Sequence, residues 1–185
     1  MHLLSRLLLA SFAVAAAQAA VGHLVSRDTA ALGPGQVASA AVESVAENFT
    51  DSVVAPLLWF VLLGPAGAIA YRAVNTQDAM VGYHGRYEYI GKAAARLDDV
   101  LNYVPARLGG LLLVAAAPFS GAQGGAAWRA MLADHRRTES PNAGWTMSAM
   151  AGALGVRLEK IGHYVLGEGL ARPTAGSVER SLRVY

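Results

Sequence analysis

Three apolar stretches, 7–25, 53–70 and 108–127, divide the chain, and the polar residues are gathered unevenly between them. Leu7–Val25 (LLLASFAVAAAQAAVGHLV) is long enough to cross ~30 Å of hydrocarbon at ~1.5 Å per residue. Arg6 before it and Ala17-Gln18-Ala19 inside it also give it the outline of a secretory signal. Val53–Ala70 is interrupted by Pro56 and by Gly64-Pro65, so it predicts either a kinked span or a re-entrant helix pair. Leu108–Ala127 is broken at Pro118, and Gly121 and Gly125 have the GxxxG spacing that suits close helix packing.

Between these stretches the periodicity changes. Gln36–Asp51 (QVASAAVESVAENFTD) predicts an amphipathic helix with Val37, Ala41, Ser44 and Asn48 down one side. Glu43, Glu47 and Asp51 recur at i, i+4 and i+8 on another side, either a solvated acidic face or a place for Mg²⁺ or a cationic group. Gly91–Val104 predicts a second helix, with Ala94, Leu97, Leu101 and Val104 on the buried side and Pro105 ending it. Asp98 and Asn102 share its polar face. Beyond Trp128 come His135-Arg136-Arg137, a turn at Ser140–Trp145 (SPNAGW), an Ala/Gly-rich helix in residues 147–158 and a Gly-punctuated tail.

Tyr71–Arg107 stands out against this background. It holds nine of the chain's 28 charged residues and five of its seven tyrosines, yet lies between two apolar stretches. Polar groups in a membrane-rich chain are costly unless they meet water or one another. The expectation is therefore an all-α, polytopic helical membrane protein with broken or re-entrant helices, a single membrane domain whose working part is residues 71–107. Composition agrees: 54% of residues are apolar and only 15% charged, against about a quarter charged in soluble domains.

Composition also excludes chemistry. With no cysteine there is no disulfide, thiolate nucleophile, cysteine zinc site or iron–sulfur cluster. The five histidines are scattered, no P-loop occurs, and a formal charge of +2 without a basic stripe excludes nucleic acid as a partner.

Six strings then match a known pattern in order: RDT (27–29), AVESVAENFTDSVVAPL (41–57), YRAVNTQDAMVGY (71–83), RYEYIGKAAARLDDVLNYVPARL (86–108), SPNAGW (140–145) and AMAGALGVRL (149–158). Together they resemble the adenosylcobinamide-phosphate synthase (CobD/CbiB) family of cobalamin biosynthesis. The resemblance covers most of the chain from Arg27 onward, departing at Thr146, where the family usually has proline. It implies an ATP-dependent amide condensation of adenosylcobyric acid, a corrinoid, with an amino-alcohol phosphate of the aminopropanol type. It further implies that Leu7–Val25 is an internal span, and that the family's N-terminal region is missing here.

Carboxylate activation by ATP needs Mg²⁺, which takes one or two carboxylates plus phosphate oxygens. Glu47, Asp51, Asp78, Asp98 and Asp99 are the catalytic candidates, with Asp51, Asp78 and Asp98 as metal ligands. Asn48, Arg72, Asn75, Lys92, Arg96, Arg107, Asn142 and Trp145 are the substrate-binding candidates, the arginines because their fork is bidentate. Tyr83, Tyr87, Tyr89 and Tyr103 form either an interfacial belt or a surface for the flat corrin.

The implied location is the bacterial inner membrane, multi-pass, with the bilayer, a second copy or other membrane proteins of the pathway as partners. Residues 72–107 carry five Lys/Arg and residues 128–185 carry eight. The positive-inside rule puts both in the cytoplasm, so one broken stretch, 53–70 or 108–127, fails to cross. The competing readings are a non-catalytic membrane fragment or scaffold and a small transporter. The transporter needs polar residues within the apolar stretches, where Gln123 is the one amide of 53–70 and 108–127.

Overall fold

The computed structural model describes residues 13–25, 28–81 and 88–185. Helix α1 (Ala13–Gly22) lies on α2 (Pro34–Phe49) through Val21, Leu32, Val37, Ala40 and Ala41. Pro34 begins α2, where its missing N–H is no loss. The helix does not end at Phe49 but widens into a π turn, Thr50–Val54, closed by the Ala55 N–H bonding to Thr50 O. Helix α3 (Ala55–Val81) comes next.

By length and apolar composition, Pro34–Met80 and Tyr103–Ser120 are candidate membrane spans. The first is not straight. Gly64 has φ 67° and ψ −161°, a combination open essentially to glycine alone, and Pro65 starts the return. A Cβ on Gly67 would stand 2.6 Å from Trp59 O, and Arg72 Nη1 lies 3.2 Å from Asp51 O. The arms 55–63 and 65–81 therefore fold back on each other. The outgoing arm rises only ~14 Å at ~1.5 Å per residue, about half the ~30 Å of a bilayer core. Of the two expectations for this stretch, a helix pair folded back at Gly64 is the geometry formed.

Helix α4 (Glu88–Leu101) runs back along the returning arm of α3, pairing Asn75 with Asp98 and Tyr71 with Asn102. It passes through Asn102 almost directly into α5 (Tyr103–Ala116). Pro105 does not end a helix here. It sits in the first turn of α5, where proline is tolerated. After a 3₁₀ turn, Ala117–Ser120, the chain reverses at Gly121 (φ 73°) and returns as α6 (Gly124–Asp134). This second apolar stretch therefore also comes back to the end it left.

Helix α7 (Ala143–Leu154) is the centre of the molecule, buried at every position from Thr146 to Leu154. It packs on α6 almost backbone to backbone: a Cβ on Gly152 would stand 2.4 Å from Ala126 O, and one on Gly144 would collide with His135 O. The predicted Gly121/Gly125 pair does not do this. Gly121 makes the reversal, and a Cβ on Gly125 would meet only the Arg129 guanidinium at 3.7 Å. Met131, Met147, Met150 and Leu113 fill the surrounding core with Val42 and Ala46 of α2.

The tail departs from the all-α expectation. Strands β1 (Leu158–Lys160) and β2 (Tyr164–Leu166) form an antiparallel hairpin, and α8 (Ala175–Val184) closes over α2. A further correction concerns α4 and α5. Ala94 is buried as expected, but Leu97 is 47% exposed and Val104 52% exposed. Asp98, Asp99 and Asn102 turn inward instead, so the apolar stripe of this rod faces out. The described part of Leu7–Val25 is the short α1; residues 1–12 lie outside the described residues.

One consequence is testable. No atom lies within 4 Å of a Cβ placed on Gly64, so only the backbone resists a side chain there. Gly64→Ala should cost about 1–3 kcal/mol, read by thermal unfolding in detergent, whereas Gly125→Ala should cost nothing measurable.

Candidate functional site

The polar groups gather where the two helical hairpins are rooted. Tyr71, 1% exposed, donates from Oη to Asn102 Oδ1 at 3.0 Å and lies 3.4 Å from Asp51 Oδ1. Asn102 Nδ2 donates to Asp98 Oδ2 at 3.0 Å, and Asn75 Nδ2 to Asp98 Oδ1 at 3.2 Å. Arg72 Nη1 donates to Asn75 Oδ1 at 3.1 Å as well as to the Asp51 carbonyl. One hydrogen-bonded chain thus joins the π turn, the returning arm of α3 and the end of α4.

Above this chain opens a cleft with two lobes. The inner lobe, about 370 Å³, is walled by Glu47, Thr50, Asp51, Asp78, Asp98, Asp99, Asn102, Asn142 and Thr146, among others. The outer lobe, about 590 Å³, shares Glu47, Asp51, Asp78, Glu139 and Ser140 with it and adds Glu43, Asn48, Arg72, Asn75, Lys160 and Tyr164. The acidic side of α2 is only partly a solvated face, since Glu43 is buried and Glu47 is exposed. Glu43, 4% exposed, accepts from Ser39 Oγ at 2.6 Å and from Tyr164 Oη at 2.9 Å, while Glu47 and Asp51 look into the cleft.

All five predicted catalytic acids line the inner lobe. Their environments differ. Both Asp98 oxygens are engaged by amides, whereas burial and then the neighbouring Asp98 charge hold the Asp99 carboxyl above its usual range. Asp51, Asp78 and Asp98 share the lobe, yet among the described residues no three Asp, Glu, His or Cys side chains stand close enough to hold a metal ion.

The predicted binding residues divide. Asn48, Arg72 and Asn75 line the outer lobe and Asn142 the inner one. Asn142 Nδ2 donates to the Asp99 carbonyl at 2.8 Å, pinning the Ser140–Trp145 turn to α4. Arg107 and Trp145 stand behind that turn. The Arg107 guanidinium lies 3.4 Å from the Tyr103 ring centroid and 4.9 Å from that of Trp145, and reaches Asn142 Oδ1 at 3.4 Å. Trp145 also stacks on His135 with centroids 4.1 Å apart, so this group shapes the cleft wall from outside.

Lys92 and Arg96 line neither lobe. They are an i, i+4 pair on the exposed side of α4, while Ala95, Asp98, Asp99 and Asn102 take the cleft side. Tyr103 covers Arg107; Tyr83, Tyr87 and the side chain of Tyr89 lie outside the described residues.

The sequence reading missed the contribution of the β-hairpin. Register pairs Leu158 with Leu166 and Lys160 with Tyr164, and alternation puts all four side chains on one face. The two leucines are fully buried in the core, so Lys160 and Tyr164 are carried out over the cleft. Glu139 holds Lys160 Nζ at 3.5 Å and bonds His163 Nδ1, a contact that draws its carboxyl below the usual range.

The fold and site define a mostly helical protein with two apolar helical hairpins rooted beneath an acid-lined cleft. The sequence model described as CobD/Cbib protein matches residues 4–184. Cobalamin biosynthesis protein CobD of Dehalococcoides mccartyi (strain CBDB1) is 52% identical over 166 residues, 90% of this chain and 54% of that protein. The protein of the same name from Geobacter metallireducens is 51% identical over 84% of this chain and 49% of its own. A probable cobalamin biosynthesis protein CobD of Methanothermobacter thermautotrophicus is 56% identical over 78% of this chain and 49% of its own. No solved structure matches. The chain belongs to the CobD/CbiB family, and these three curated relatives carry the name of cobalamin biosynthesis proteins. It spans about half their length.

The two acids at the cleft root should separate by experiment. Asp98→Ala strips an acceptor from the buried Asn102 amide and one from the half-buried Asn75 amide, and should cost about 1–3 kcal/mol. Asp78→Asn, for which no partner is fixed by a hydrogen bond among the described residues, should leave the unfolding temperature in detergent within error of the parent.

Proposed function

We propose that the chain carries the amide-forming centre of a cobalamin-pathway ligase, joining a carboxylate of adenosylcobyric acid to the amine of an amino-alcohol phosphate at the expense of ATP. The product is adenosylcobinamide phosphate. The observation that carries this reading is the convergence of Glu47 and Asp51, Asp78, and Asp98 and Asp99 from three separate segments on one cleft. Membership of the CobD/CbiB family supports it.

The donor set fits Mg²⁺ in the way phosphate substrates bring it, through one or two carboxylates, rather than a caged ion with three or more protein ligands. Asp51 and Asp78 are the residues that would hold it, since they wall both lobes and Asp98 is already bonded to two amides. Bound Mg²⁺–ATP supplies the activation of the carboxylate. This chain's residues do the rest: Arg72 and Lys160, the cations among the outer lobe's lining, hold anionic groups in place. Asn142, fixed to the Asp99 carbonyl, and the aromatic group of Tyr103, Arg107 and Trp145 keep the wall rigid.

The same reading gives a location. The exposed residues at the first hairpin's tip are Phe60, Val61, Leu62 and Leu63, and Phe119 at the second is 94% exposed. Apolar surface of this extent on a polar-rimmed body marks a lipid contact. We place the hairpins in the bacterial inner membrane, entering from the cytoplasmic side, with the cleft in the cytoplasm where ATP and substrates are found.

Two experiments test these statements. With adenosylcobyric acid, aminopropanol phosphate and Mg²⁺–ATP, the chain should form the amide, and Asp78→Asn should lower kcat at least ~10-fold, equivalent to ~1.4 kcal/mol of transition-state stabilisation. Full activity in that variant removes Asp78 from the reaction. Separately, cysteines introduced at Ala79 and Ser140 of this cysteine-free chain should be labelled from the same, cytoplasmic side, and one at Leu62 from neither. Labelling of the first two from opposite sides contradicts the one-sided hairpins.

A further inference from the structure

Lys92 and Arg96 line neither lobe of the cleft and take the opposite, exposed side of α4. Asp98 and Asp99, the acids of residues 91–104, take the cleft side. The two signs of charge are therefore separated across one helix. Cations that only keep a helix in solution need no such separation.

The side that carries the cations is otherwise apolar. Leu97, Val100 and Val104 are exposed there, Val100 at 70%, and α5 continues the line with exposed Leu108 and Leu111. Steps of three and four residues keep these positions on one side of the rod. An apolar band of this length exceeds the scattered apolar residues of a water-facing surface. The join between the two helices is dry as well. Pro105 has no N–H to offer the Leu101 carbonyl, which accepts from Trp59 Nε1 at 3.3 Å instead. The Asp99 carbonyl accepts from Asn142 Nδ2 at 2.8 Å. Backbone acceptors met by side chains instead of water are what a helix join beside lipid requires. Lys92 and Arg96 stand about three and two turns before the candidate span Tyr103–Ser120. From there their long side chains reach the phosphate layer of a bilayer.

We infer that the outward side of α4 is a lipid-binding surface, where Lys92 and Arg96 hold the phosphates of anionic phospholipids and Leu97, Val100 and Val104 lie against the acyl chains below them. This rests on the reading above that the second hairpin enters the membrane from the cytoplasmic side, and extends the lipid contact from the hairpin tips to the wall of the cleft. Helix α4 then divides two media. Its acids and Asn102 face the cleft, and its cations and aliphatic residues face the bilayer. The arginine fork takes a phosphate through two bonds, and the lysine adds a point charge.

The chain has no cysteine, so single cysteines at Val100, Phe119 and Ser140 can each carry a fluorophore. The labelled proteins are placed in phosphatidylcholine vesicles with or without phosphatidylglycerol, and quenched by lipids carrying a nitroxide either near the headgroup or near the chain end. The Val100 label should be quenched by the shallow nitroxide, increasingly as phosphatidylglycerol is added, the Phe119 label by the deep one and the Ser140 label by neither. Lys92→Gln with Arg96→Gln should weaken the phosphatidylglycerol dependence about fivefold for each cation removed. Lys92→Arg with Arg96→Lys keeps both charges and should preserve it, which separates loss of charge from loss of fold. Quenching at Phe119 without quenching at Val100 overturns the inference and leaves the membrane hairpins standing. Quenching at Val100 alone does the reverse, and quenching at neither overturns both. A Val100 signal indifferent to phosphatidylglycerol, or to removal of both cations, overturns the headgroup contact. So does energy transfer between Val100 labels on two copies, which makes this side an interface between copies.

Discussion

The Asp98 carboxylate, with one amide donor on each oxygen, constrains more of this molecule than any other polar group. Asn75 reaches it from the returning arm of α3 and Asn102 from the end of α4, and Asn102 in turn accepts from Tyr71. Tyr71 and Asn102 are buried at the root of apolar hairpins, where an unpaired amide or hydroxyl costs about 1–3 kcal/mol. Each must be satisfied by the others, so α3 and α4 cannot slide by a turn without breaking several bonds at once. That register fixes where the first hairpin returns, and with it the placing of Asp51 beside Tyr71. It also sends Asp99 and Asn102 to the cleft side of α4 and leaves Lys92 and Arg96 outside. The cleft is therefore a consequence of how the hairpins are tied together, and removing a single acceptor loosens both.

The parts of this arrangement that were legible in the sequence are those set by local chemistry. Gly64-Pro65 inside an apolar run announces a break, because glycine alone takes the backbone angles of the reversal and proline can only begin the returning helix. Acids at i, i+4 and i+8 in α2 share a face whatever that face meets, and Asp98 and Asn102 likewise. Which side of a helix is covered is not a local property. The stripe of Leu97 and Val104 has core periodicity, yet it is exposed, because the opposite, polar side carries the hydrogen bonds that hold α4 to α3. The GxxxG spacing failed for a related reason: Gly121 is used for its positive φ, and the close contacts fall to Gly144 and Gly152, which with Ser148 between them have the looser small-xxx-small spacing.

The β-hairpin was illegible for want of length. Two three-residue strands offer too little alternation to outweigh the surrounding glycines. Its register nonetheless decides the outer lobe. Leu158 and Leu166 anchor the face that Lys160 and Tyr164 continue, so a one-residue slip would bury Glu159 in the core and remove the cation from the cleft. Such a slip is opposed by Tyr164, bonded to buried Glu43, and by the Glu159 N–H, bonded to Ser39 Oγ. The α2 side of the cleft thus holds the hairpin in register through the same serine that supports Glu43.

The features that oppose folding stand together. The π turn leaves Thr50 without a partner, and the acids of three segments are crowded around it. In a chain selected for stability alone, each would be easy to remove: an α-helical turn for the π turn, valine for Thr50, amides for the acids. Local rules are broken at one place and obeyed in the neighbouring core of α7, the pattern expected around a functional site. The π turn links the two roles. Its extra residue shifts the phase of everything after it by about 100° about the helix axis, which changes the side of the chain that faces α2's neighbours beyond the turn. One irregular turn thus stands where the apolar hairpin leaves α2 and where Asp51 enters the cleft wall.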